Sequence, residues 1–251
     1  MRLGSSMDNY EFCAQWVVQR RPGTGVRVLD YGCGAGEIVA ELRRRAIDGF
    51  GCDVFYEGGD ASRSVDPTLL EDIIKRMDGN TIPFESASFD FVTNNQVMEH
   101  VEDLDAVLAE IHRVLKPGGT VLSLFPDKGV WREGHCGVPF LHWFAKGSRP
   151  RVYYAALCRM LGLGYHKGNK DVLGWSRDFC DWLDRWTYYR ARQEIDSAYE
   201  KYFCDIRHIE DHWLQLRFGG QSILFGWLPA SIQRLVVRKL GCLIFVARKP
   251  L

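Results

Sequence analysis

The sequence of 251 residues lacks the features that mark several special classes of protein. No apolar run approaches the roughly 18–20 residues that cross a bilayer, and residues 1–16 contain no apolar stretch typical of a secretory signal. The eight cysteines form no CxxC pair, which argues against a zinc ribbon or a redox motif. Basic and acidic residues number 32 each, which disfavours a generic binder of polyanions. These absences predict a cytoplasmic protein with reduced thiols.

What the sequence does contain is an alternation of short apolar runs and amphipathic segments, in a composition that is ordinary for a globular protein. The predicted strands are 26–30, 49–53, 73–77, 89–93, 120–125, 202–210 and 241–249. The predicted helices are 8–20, 37–45, 102–115 and 176–200. Strands that alternate with helices predict an α/β fold with a Rossmann-like, mostly parallel sheet, and the last strand pairs antiparallel with the sixth.

No internal repeat or low-complexity linker divides the chain, so we expect one domain in four parts. Residues 1–25 contain an N-terminal helix, and residues 26–126 form the cofactor-binding core. Residues 127–175, called the lid segment below, are rich in glycine, aromatic and basic residues and follow the fifth strand. Residues 176–251 hold the C-terminal helices and the last two strands.

A glycine loop follows the first strand. Gly32, Gly34 and Gly36 have the spacing GxGxG, and Glu37 stands where a dinucleotide fingerprint would need its third glycine. Asp30, two residues before the loop, would repel a pyrophosphate but can pair with an ammonium group. The loop therefore predicts a ligand other than a dinucleotide, held close to the backbone.

The glycine loop is one of six blocks whose order and spacing resemble the class I S-adenosylmethionine-dependent methyltransferases, in the group called methyltransferase type 11-like. The blocks are LDYGCGAGE at 29–37, GCD at 51–53, DGNTIPF at 78–84, FDFV at 89–92, NNQVMEHV at 94–101 and HRVLKPGG at 112–119. The resemblance implies that S-adenosylmethionine is the cofactor and S-adenosylhomocysteine its product. It also implies that Asp30 and the glycine loop hold the methionine end, and that Asp53 accepts hydrogen bonds from the ribose hydroxyls.

Further cofactor contacts follow from the same resemblance. Asp78 matches the acid that takes the adenine amino group, with the backbone of Gly79 and Asn80 beside it. Asn95 and Gln96, after the fourth strand, are expected to flank the sulfonium. Because the helix usual between the second and third strands is shortened here to a loop or a single turn, the position of Asp78 is the least certain of these.

The lid segment carries the evidence about the methyl acceptor. Between residues 127 and 170 there are eight basic and two acidic residues, with aromatics among them. Three interpretations stay open: a solvated basic face over an aromatic core, a site for an anionic substrate such as a phosphate- or lipid-linked sugar, or an RNA surface. RNA is disfavoured because Asn94-Asn95-Gln96-Val97 lacks the Pro-Pro-aromatic motif of enzymes that methylate amino groups on bases.

The same absence favours a hydroxyl acceptor. The sequence thus predicts O-methylation of a small-molecule or glycan hydroxyl, with RNA methylation or a non-catalytic cofactor-binding scaffold as alternatives. No acidic cluster indicates a metal, so we expect a metal-independent reaction. The candidate general bases are His135, in a glycine-flanked loop, and His142, in an apolar stretch, although both could serve only as hydrogen-bonding groups of the lid segment. His100 is interpreted as a helix residue rather than a catalyst.

The C-terminal stretch 225–240 predicts an amphipathic helix that begins at a proline. It either packs on the sheet or lies on a membrane surface with its basic face and a tryptophan anchor. The oligomeric state cannot be read from the sequence.

Overall fold

A twisted sheet organises the computed structural model, which describes residues 7–20, 23–59, 61–70, 72–218 and 227–251. Seven strands occur in these ranges: β1 (Arg27–Tyr31), β2 (Asp48–Asp53), β3 (Ile74–Arg76), β4 (Phe89–Asn95), β5 (Leu115–Phe125), β6 (Cys204–His208) and β7 (Leu243–Arg248). Their order in the sheet is β3-β2-β1-β4-β5-β7-β6. The strands β1 to β5 are parallel, whereas β7 and β6 are antiparallel to their neighbours.

The order confirms the predicted Rossmann-like fold and locates the point where a ligand is expected. The chain moves outward from β1 to β2 and β3, then crosses back to β4 on the other side of β1. In such open sheets ligands bind outside the carboxyl ends of the strands, where the winding direction reverses. Asp30 lies at this point, paired in register with Gly51 of β2 and Thr93 of β4.

Helices cover both faces of the sheet. They are α1 (Asn9–Arg20), α2 (Glu37–Arg44), α3 (Leu104–Val114), α4 (Arg149–Met160), α5 (Val172–Trp186), α6 (Arg192–Glu200), α7 (Glu210–Phe218) and α8 (Ala230–Leu240). Asp103 caps α3 by accepting a hydrogen bond from the Ala106 N–H at 3.0 Å. Between β2 and β3 the described residues form two single 3₁₀ turns, Ser62–Ser64 and Pro67–Leu69, in agreement with the predicted shortening.

Several details differ from the sequence prediction, and neither α4 nor α7 is among the predicted helices. The predicted helix 176–200 is two helices, α5 and α6, because residues 187–191 are extended. The strand β5 begins at Leu115 rather than at residue 120, since the Lys116–Gly119 turn pairs irregularly with the start of β4. The last two strands pair as predicted but are not a simple hairpin, because α7 and α8 lie between them.

The hydrophobic core has one layer on each side of the sheet, as expected for parallel strands buried on both faces. One layer packs α3 and α6 against the sheet around Phe89, Ile111 and Phe245. The other packs α1, α2 and α7 around Phe12 and Leu42. The N-terminal helix predicted for residues 1–25 is thus part of the core from Asn9 to Arg20, while residues 1–6 lie outside the described part.

The lid segment has a hydrophobic core of its own. Its buried side chains come from the loop after β5, from α4 and from α5, namely Cys136, Val138, Leu141, Ala155, Cys158, Trp175, Cys180 and Leu183. The predicted boundary at residue 175 falls inside α5, so this small core extends to Leu183.

The C-terminal helix α8 packs on the domain through a buried ion pair. Arg238 donates to Glu210, which is fully buried, at 2.6 Å. Leu235 and Leu240 of α8 are exposed. The membrane-surface interpretation stays a prediction, and residues 225 and 226 of that stretch lie outside the described part. In the described ranges no helix combines the length and apolar character needed to cross a membrane.

Candidate functional site

A cavity of about 420 Å³ opens at the carboxyl ends of β1, β2 and β4. We call it the sheet-edge cavity. Its walls come from the glycine loop, the segments after these strands, α1 and the end of α5: Tyr10, Asp30, Tyr31, Gly32, Cys33, Gly34, Glu37, Ile38, Asp53, Val54, Tyr56, Gly59, Met77, Asn80, Asn95, Gln96, Val97, His100, Val101, Glu102 and Trp186. A groove of about 510 Å³ also exists, but it lies at the opposite edge of the sheet, near Asp90 and Arg248.

The glycine loop forms one wall because its backbone adopts conformations that side chains resist. Gly32 has φ +73°, and a Cβ there would lie 2.4 Å from Cγ2 of Val97. Gly34 has φ +53°, and among the described atoms none lies within 4 Å of where its Cβ would be. The chain therefore turns tightly at Gly32 and leaves open space at Gly34, where a ligand can approach the backbone.

Asp30 is a buried acid with its side chain at the cavity. It is 2% exposed, and the Thr93 hydroxyl donates a hydrogen bond to its Oδ1 at 2.8 Å. Burial raises the pKa of Asp30 to about 8, against the lowering effect of the Thr93 hydrogen bond. Among the described residues no cation forms an ion pair with it. An ammonium group of a ligand fits this acid.

Asp53 joins two loops at the end of β2. Its Oδ2 accepts the N–H of Gly34 at 2.9 Å, and its Oδ1 accepts the N–H of Phe55 at 2.6 Å. Each carboxylate oxygen has a further acceptor position, and the side chain lines the cavity. The acid therefore holds the glycine loop in place and can still accept hydrogen bonds from a pair of hydroxyls.

The segment after β3 is placed differently from the expectation. Asp78 is exposed, and its carbonyl accepts the N–H of Thr81 in a tight turn at 3.2 Å, with Gly79 at φ +57°. Met77 and Asn80 line the sheet-edge cavity, whereas in the described structure Asp78 and Gly79 do not. A contact from the Asp78 carboxylate to a nucleobase would require this turn to move.

The segment after β4 matches its expected place. Asn95 and Gln96 both line the cavity. The Asn95 side chain accepts a hydrogen bond from Nδ2 of Asn9 at 3.2 Å, which ties the N-terminal helix to the site. Gln96 has φ +58°, an uncommon conformation for a residue with a side chain, and its N–H donates to the Leu124 carbonyl at 2.7 Å.

His135, a predicted base, lies beside the cavity with a carboxylate behind it. Its Nδ1 is 2.6 Å from Oε1 of Glu133. Glu133 is fully buried and also accepts hydrogen bonds from the Tyr189 hydroxyl and the Cys136 N–H, each at 2.7 Å. Burial alone would raise the pKa of Glu133, but the hydrogen bonds from His135, Cys136 and Tyr189 lower it to about 2. Burial lowers the pKa of His135 but the ionised Glu133 outweighs it, and the result is a raised pKa.

The partner of His135 is His100, which sequence reasoning set aside. The two Nε2 atoms are 3.2 Å apart. His100 follows β4 in a 3₁₀ turn and lines the cavity, and its Nδ1 is 2.6 Å from the Trp186 carbonyl at the end of α5. A carbonyl only accepts, so His100 carries its proton on Nδ1 and directs an unprotonated Nε2 toward His135. Burial lowers the pKa of His100 to about 4.

Glu99 completes what we call the histidine cluster, which consists of Glu99, His100 and His135. Glu99 is 2% exposed, and neither carboxylate oxygen has a hydrogen-bond partner among the described residues. Burial raises its pKa to about 7. One ligand atom from each member lies within 4.8 Å of the others.

His142, the other predicted base, lies one layer behind. It is buried, and its ring packs on Tyr189 with centroids 4.7 Å apart. Its side chain is absent from the cavity walls formed by the described residues. His142 thus supports Tyr189, which donates to Glu133, rather than facing the cavity.

Most basic residues of the lid segment are engaged within it or with α5. Arg151 pairs with Asp184, Lys170 pairs with Asp178 at 2.5 Å, and the guanidinium of Arg132 lies 4.7 Å from the Tyr165 ring centre. Within the described ranges no basic residue of the lid segment lines the sheet-edge cavity. This arrangement supports the interpretation as a basic face over an aromatic core more than a phosphate-binding site.

Comparison with known proteins finds similarity over part of the chain. Residues 29–123 match the family described as "Methyltransferase domain". The ubiquinone/menaquinone biosynthesis C-methyltransferase of Desulfotalea psychrophila is 37% identical over 116 residues, which cover 41% of this chain and 42% of that protein. The mitochondrial ubiquinone biosynthesis O-methyltransferase of Rattus norvegicus is 32% identical over 113 residues, 43% of this chain and 33% of the relative. The similarity thus spans less than half of each relative.

Solved structures with this fold align with nearly the whole chain. A methyltransferase of Mesorhizobium loti, described as dependent on S-adenosylmethionine, aligns over 96% of this chain and 100% of its own, with a TM-score of 0.54 at 16% identity. The phosphoethanolamine N-methyltransferase 2 of Haemonchus contortus, in complex with S-adenosylhomocysteine, aligns over 98% of this chain and 54% of its own, with a TM-score of 0.53 at 17% identity. The resemblance seen in the sequence is therefore confirmed for residues 29–123, which match a methyltransferase family, and the chain has the fold of solved S-adenosylmethionine-dependent methyltransferases.

Proposed function

We propose that this chain transfers a methyl group from S-adenosylmethionine to a hydroxyl oxygen of a small-molecule or glycan acceptor. The observation that carries the proposal is the contact between His100, which lines the sheet-edge cavity, and His135, whose other ring nitrogen is backed by the buried Glu133. A histidine held in this way by a carboxylate is suited to remove a proton.

The residues around the cavity fit the cofactor. Asp30 is a buried acid without a cationic partner in the described chain and would pair with the ammonium of the methionine end. Asp53 would accept the two ribose hydroxyls, and the open space at Gly34 admits the ligand to the backbone. Asn95 and Gln96 would flank the sulfonium, and Met77 and Asn80 would contact the adenine side, where Asp78 is turned outward. When bound, S-adenosylmethionine supplies an activated methyl group for an attacking oxygen.

The histidine cluster would activate that oxygen. A hydroxyl is a poor nucleophile at neutral pH, so transfer gains when its proton passes to a positioned base. Once the proton shared between the two facing Nε2 atoms has left to solvent, His135 receives the proton of the hydroxyl on Nε2 and shares it with His100, and the ionised Glu133 stabilises the resulting imidazolium through Nδ1. His142 takes no direct part and keeps Tyr189 in place against Glu133.

The walls beside the cluster favour an aromatic acceptor among the small molecules. Tyr56 and Trp186 both line the cavity, with ring centres 5.0 Å apart, and Tyr56 lies 5.7 Å from the His100 ring. Planar rings stack on such side chains. The relative named as a ubiquinone biosynthesis O-methyltransferase supports an oxygen acceptor, whereas the relative named as a C-methyltransferase supports a carbon acceptor, which the assay below distinguishes. A phosphate-linked sugar has less support, because the lid arginines are engaged elsewhere.

The test is a transfer assay with S-adenosylmethionine carrying a ¹³C-labelled methyl group. Acceptor arms are catechols and hydroquinones, simple sugars, lipid-linked glycans and RNA. We expect label in the ring-hydroxyl arm, with the methyl carbon shift of an ether. Label found only on a ring carbon or only in RNA contradicts the proposal, and cofactor binding without transfer in any arm favours a scaffold. Cytoplasmic location and contact with membranes stay predictions.

A further inference from the structure

We propose that Glu99, His100 and His135 bind one divalent transition-metal cation, with zinc as the reference ion, at the edge of the sheet-edge cavity. Binding of the cation stands on the geometry of the cluster alone, whereas its use in methyl transfer rests on the proposed function. The proposal differs from the expectation of a metal-independent reaction, which was drawn from the lack of an acidic cluster in the sequence.

The spacing of the two imidazoles fits ligands of a single ion. Zinc is bound by histidine nitrogens at about 2.0–2.1 Å, so two such nitrogens at a tetrahedral angle lie roughly 3.3 Å apart. The Nε2 atoms of His100 and His135 are 3.2 Å apart. Without a cation this approach needs a shared proton, because His100 directs an unprotonated nitrogen at its partner.

In each ring the nitrogen that faces away from the proposed ion, Nδ1, has a hydrogen-bond acceptor of the kind found beside metal-binding histidines. Metal-bound histidines donate their other N–H to a carboxylate or a backbone carbonyl, which fixes the tautomer and the ring orientation. Nδ1 of His135 faces Glu133 at 2.6 Å, and Nδ1 of His100 faces the Trp186 carbonyl at 2.6 Å. Both rings are thereby set to present Nε2 to the same point.

The third ligand is the buried carboxylate that nothing else satisfies. A buried carboxyl group without a hydrogen bond is costly, and a cation between it and the imidazoles would remove that cost. Glu99 is 2% exposed, and its two oxygens lack partners in the described part of the chain. A ligand atom of Glu99 lies within 4.8 Å of those of both histidines.

Two imidazoles and one carboxylate suit zinc, iron, cobalt or manganese rather than calcium or magnesium. Three protein ligands also leave a coordination position open, as in catalytic rather than structural sites. Because His100 lines the cavity, an acceptor hydroxyl could take that position, and a bound cation lowers the pKa of a coordinated hydroxyl. His135 then serves as a ligand, and the proton of the hydroxyl passes to solvent.

The experiment titrates the chelator-treated full chain with Zn²⁺, and separately with Co²⁺, in the absence of cofactor and acceptor. We expect one ion per chain by calorimetry and a visible Co²⁺ spectrum from nitrogen ligands. The isosteric variant Glu99→Gln should bind at least 100-fold more weakly, and Glu133→Gln about 10–100-fold more weakly through loss of ring orientation. His166→Ala, which removes an exposed histidine outside the cluster, should bind like the native chain.

Failure of the native chain to bind one ion per chain overturns the proposal. Unchanged binding in Glu99→Gln, or equal weakening in His166→Ala, overturns the assignment of the ligands. Since neither measurement uses an acceptor, a chain that binds the ion but methylates no hydroxyl contradicts only the proposed function. A chain that methylates hydroxyls at full rate with chelator present and binds no ion contradicts only the metal site.

Discussion

Replacing Asp30 by asparagine should make the ligand-free chain more stable at pH 8 while it weakens cofactor binding. The change keeps the shape of the side chain and the acceptor oxygen that Thr93 uses. It removes a carboxyl group whose pKa burial raises from 3.8 to about 8. It also removes the negative charge that we assign to the ammonium of the cofactor.

The size of the expected stability change follows from the pKa shift of Asp30. Between these two pKa values the folded chain keeps the Asp30 proton, whereas the unfolded chain releases it. The contribution of this proton to the free energy of unfolding is therefore fully present below pH 3.8 and is lost as pH rises toward 8. The free energy of unfolding falls by about 1.4 kcal/mol per pH unit in this window, on the order of 3–4 kcal/mol from pH 5 to pH 8. For a chain of this size that corresponds to a Tm difference on the order of 10 °C.

Thermal unfolding at pH 5, 6, 7 and 8 without cofactor measures the effect as the difference between Asp30→Asn and the native chain, because other titrating groups cancel. Asp66→Asn is the matched control: its carboxylate is exposed, and its pKa is lowered by the Thr68 hydrogen bonds, so it stays ionised throughout this range. If the Tm difference for Asp30→Asn stays constant from pH 5 to pH 8, Asp30 is not protonated near neutrality and the reasoning fails.

Three further predictions concern the site. Asp53→Ala should weaken S-adenosylmethionine binding about 10–100-fold in calorimetry, the loss expected for hydrogen bonds to a charged acceptor, and unchanged affinity would refute its assignment. His135→Ala should lower kcat by roughly 10²–10⁴-fold and leave cofactor affinity intact, as a positioned proton acceptor or ligand would; near-normal turnover would remove it from the mechanism. Gly32→Ala should cost roughly 2–4 kcal/mol in urea unfolding, from positive φ and the contact with Val97, whereas Gly34→Ala should cost only about 1–2 kcal/mol; equal losses would contradict the packing argument.

Most of the fold could be predicted from local sequence patterns. Apolar runs and glycine turns predicted the strands from β1 to β7 to within a few residues, except that β5 begins at Leu115. The resemblance implied that the acids at the ends of β1 and β2 contact the same cofactor, and Asp30 and Asp53 do line one cavity. These features depend on contacts between neighbours in sequence or in the sheet, which periodicity records.

The histidine cluster could not be predicted in this way. His100 and His135 are separated by β5 and α3, and the 3.2 Å contact depends on how the loop after β5 folds back on the end of α5. One feature of the sequence indicated that His100 lies near the cavity: it follows the carboxyl end of β4, at the same edge of the sheet as Asn95. The charge of the lid segment depends on similar contacts: Asp184 and Asp178, the acidic partners of Arg151 and Lys170, lie outside the residues 127–170 over which the charge was counted.

The contact between His100 and His135 also joins two separately packed parts of the molecule. His100 is fixed to the main sheet through β4, while His135 belongs to the loop that packs in the small core of the lid segment. The bond from His100 to the Trp186 carbonyl joins the same two parts at the end of α5. A proton or ion held between the two rings would therefore also strengthen the attachment of the lid segment to the sheet.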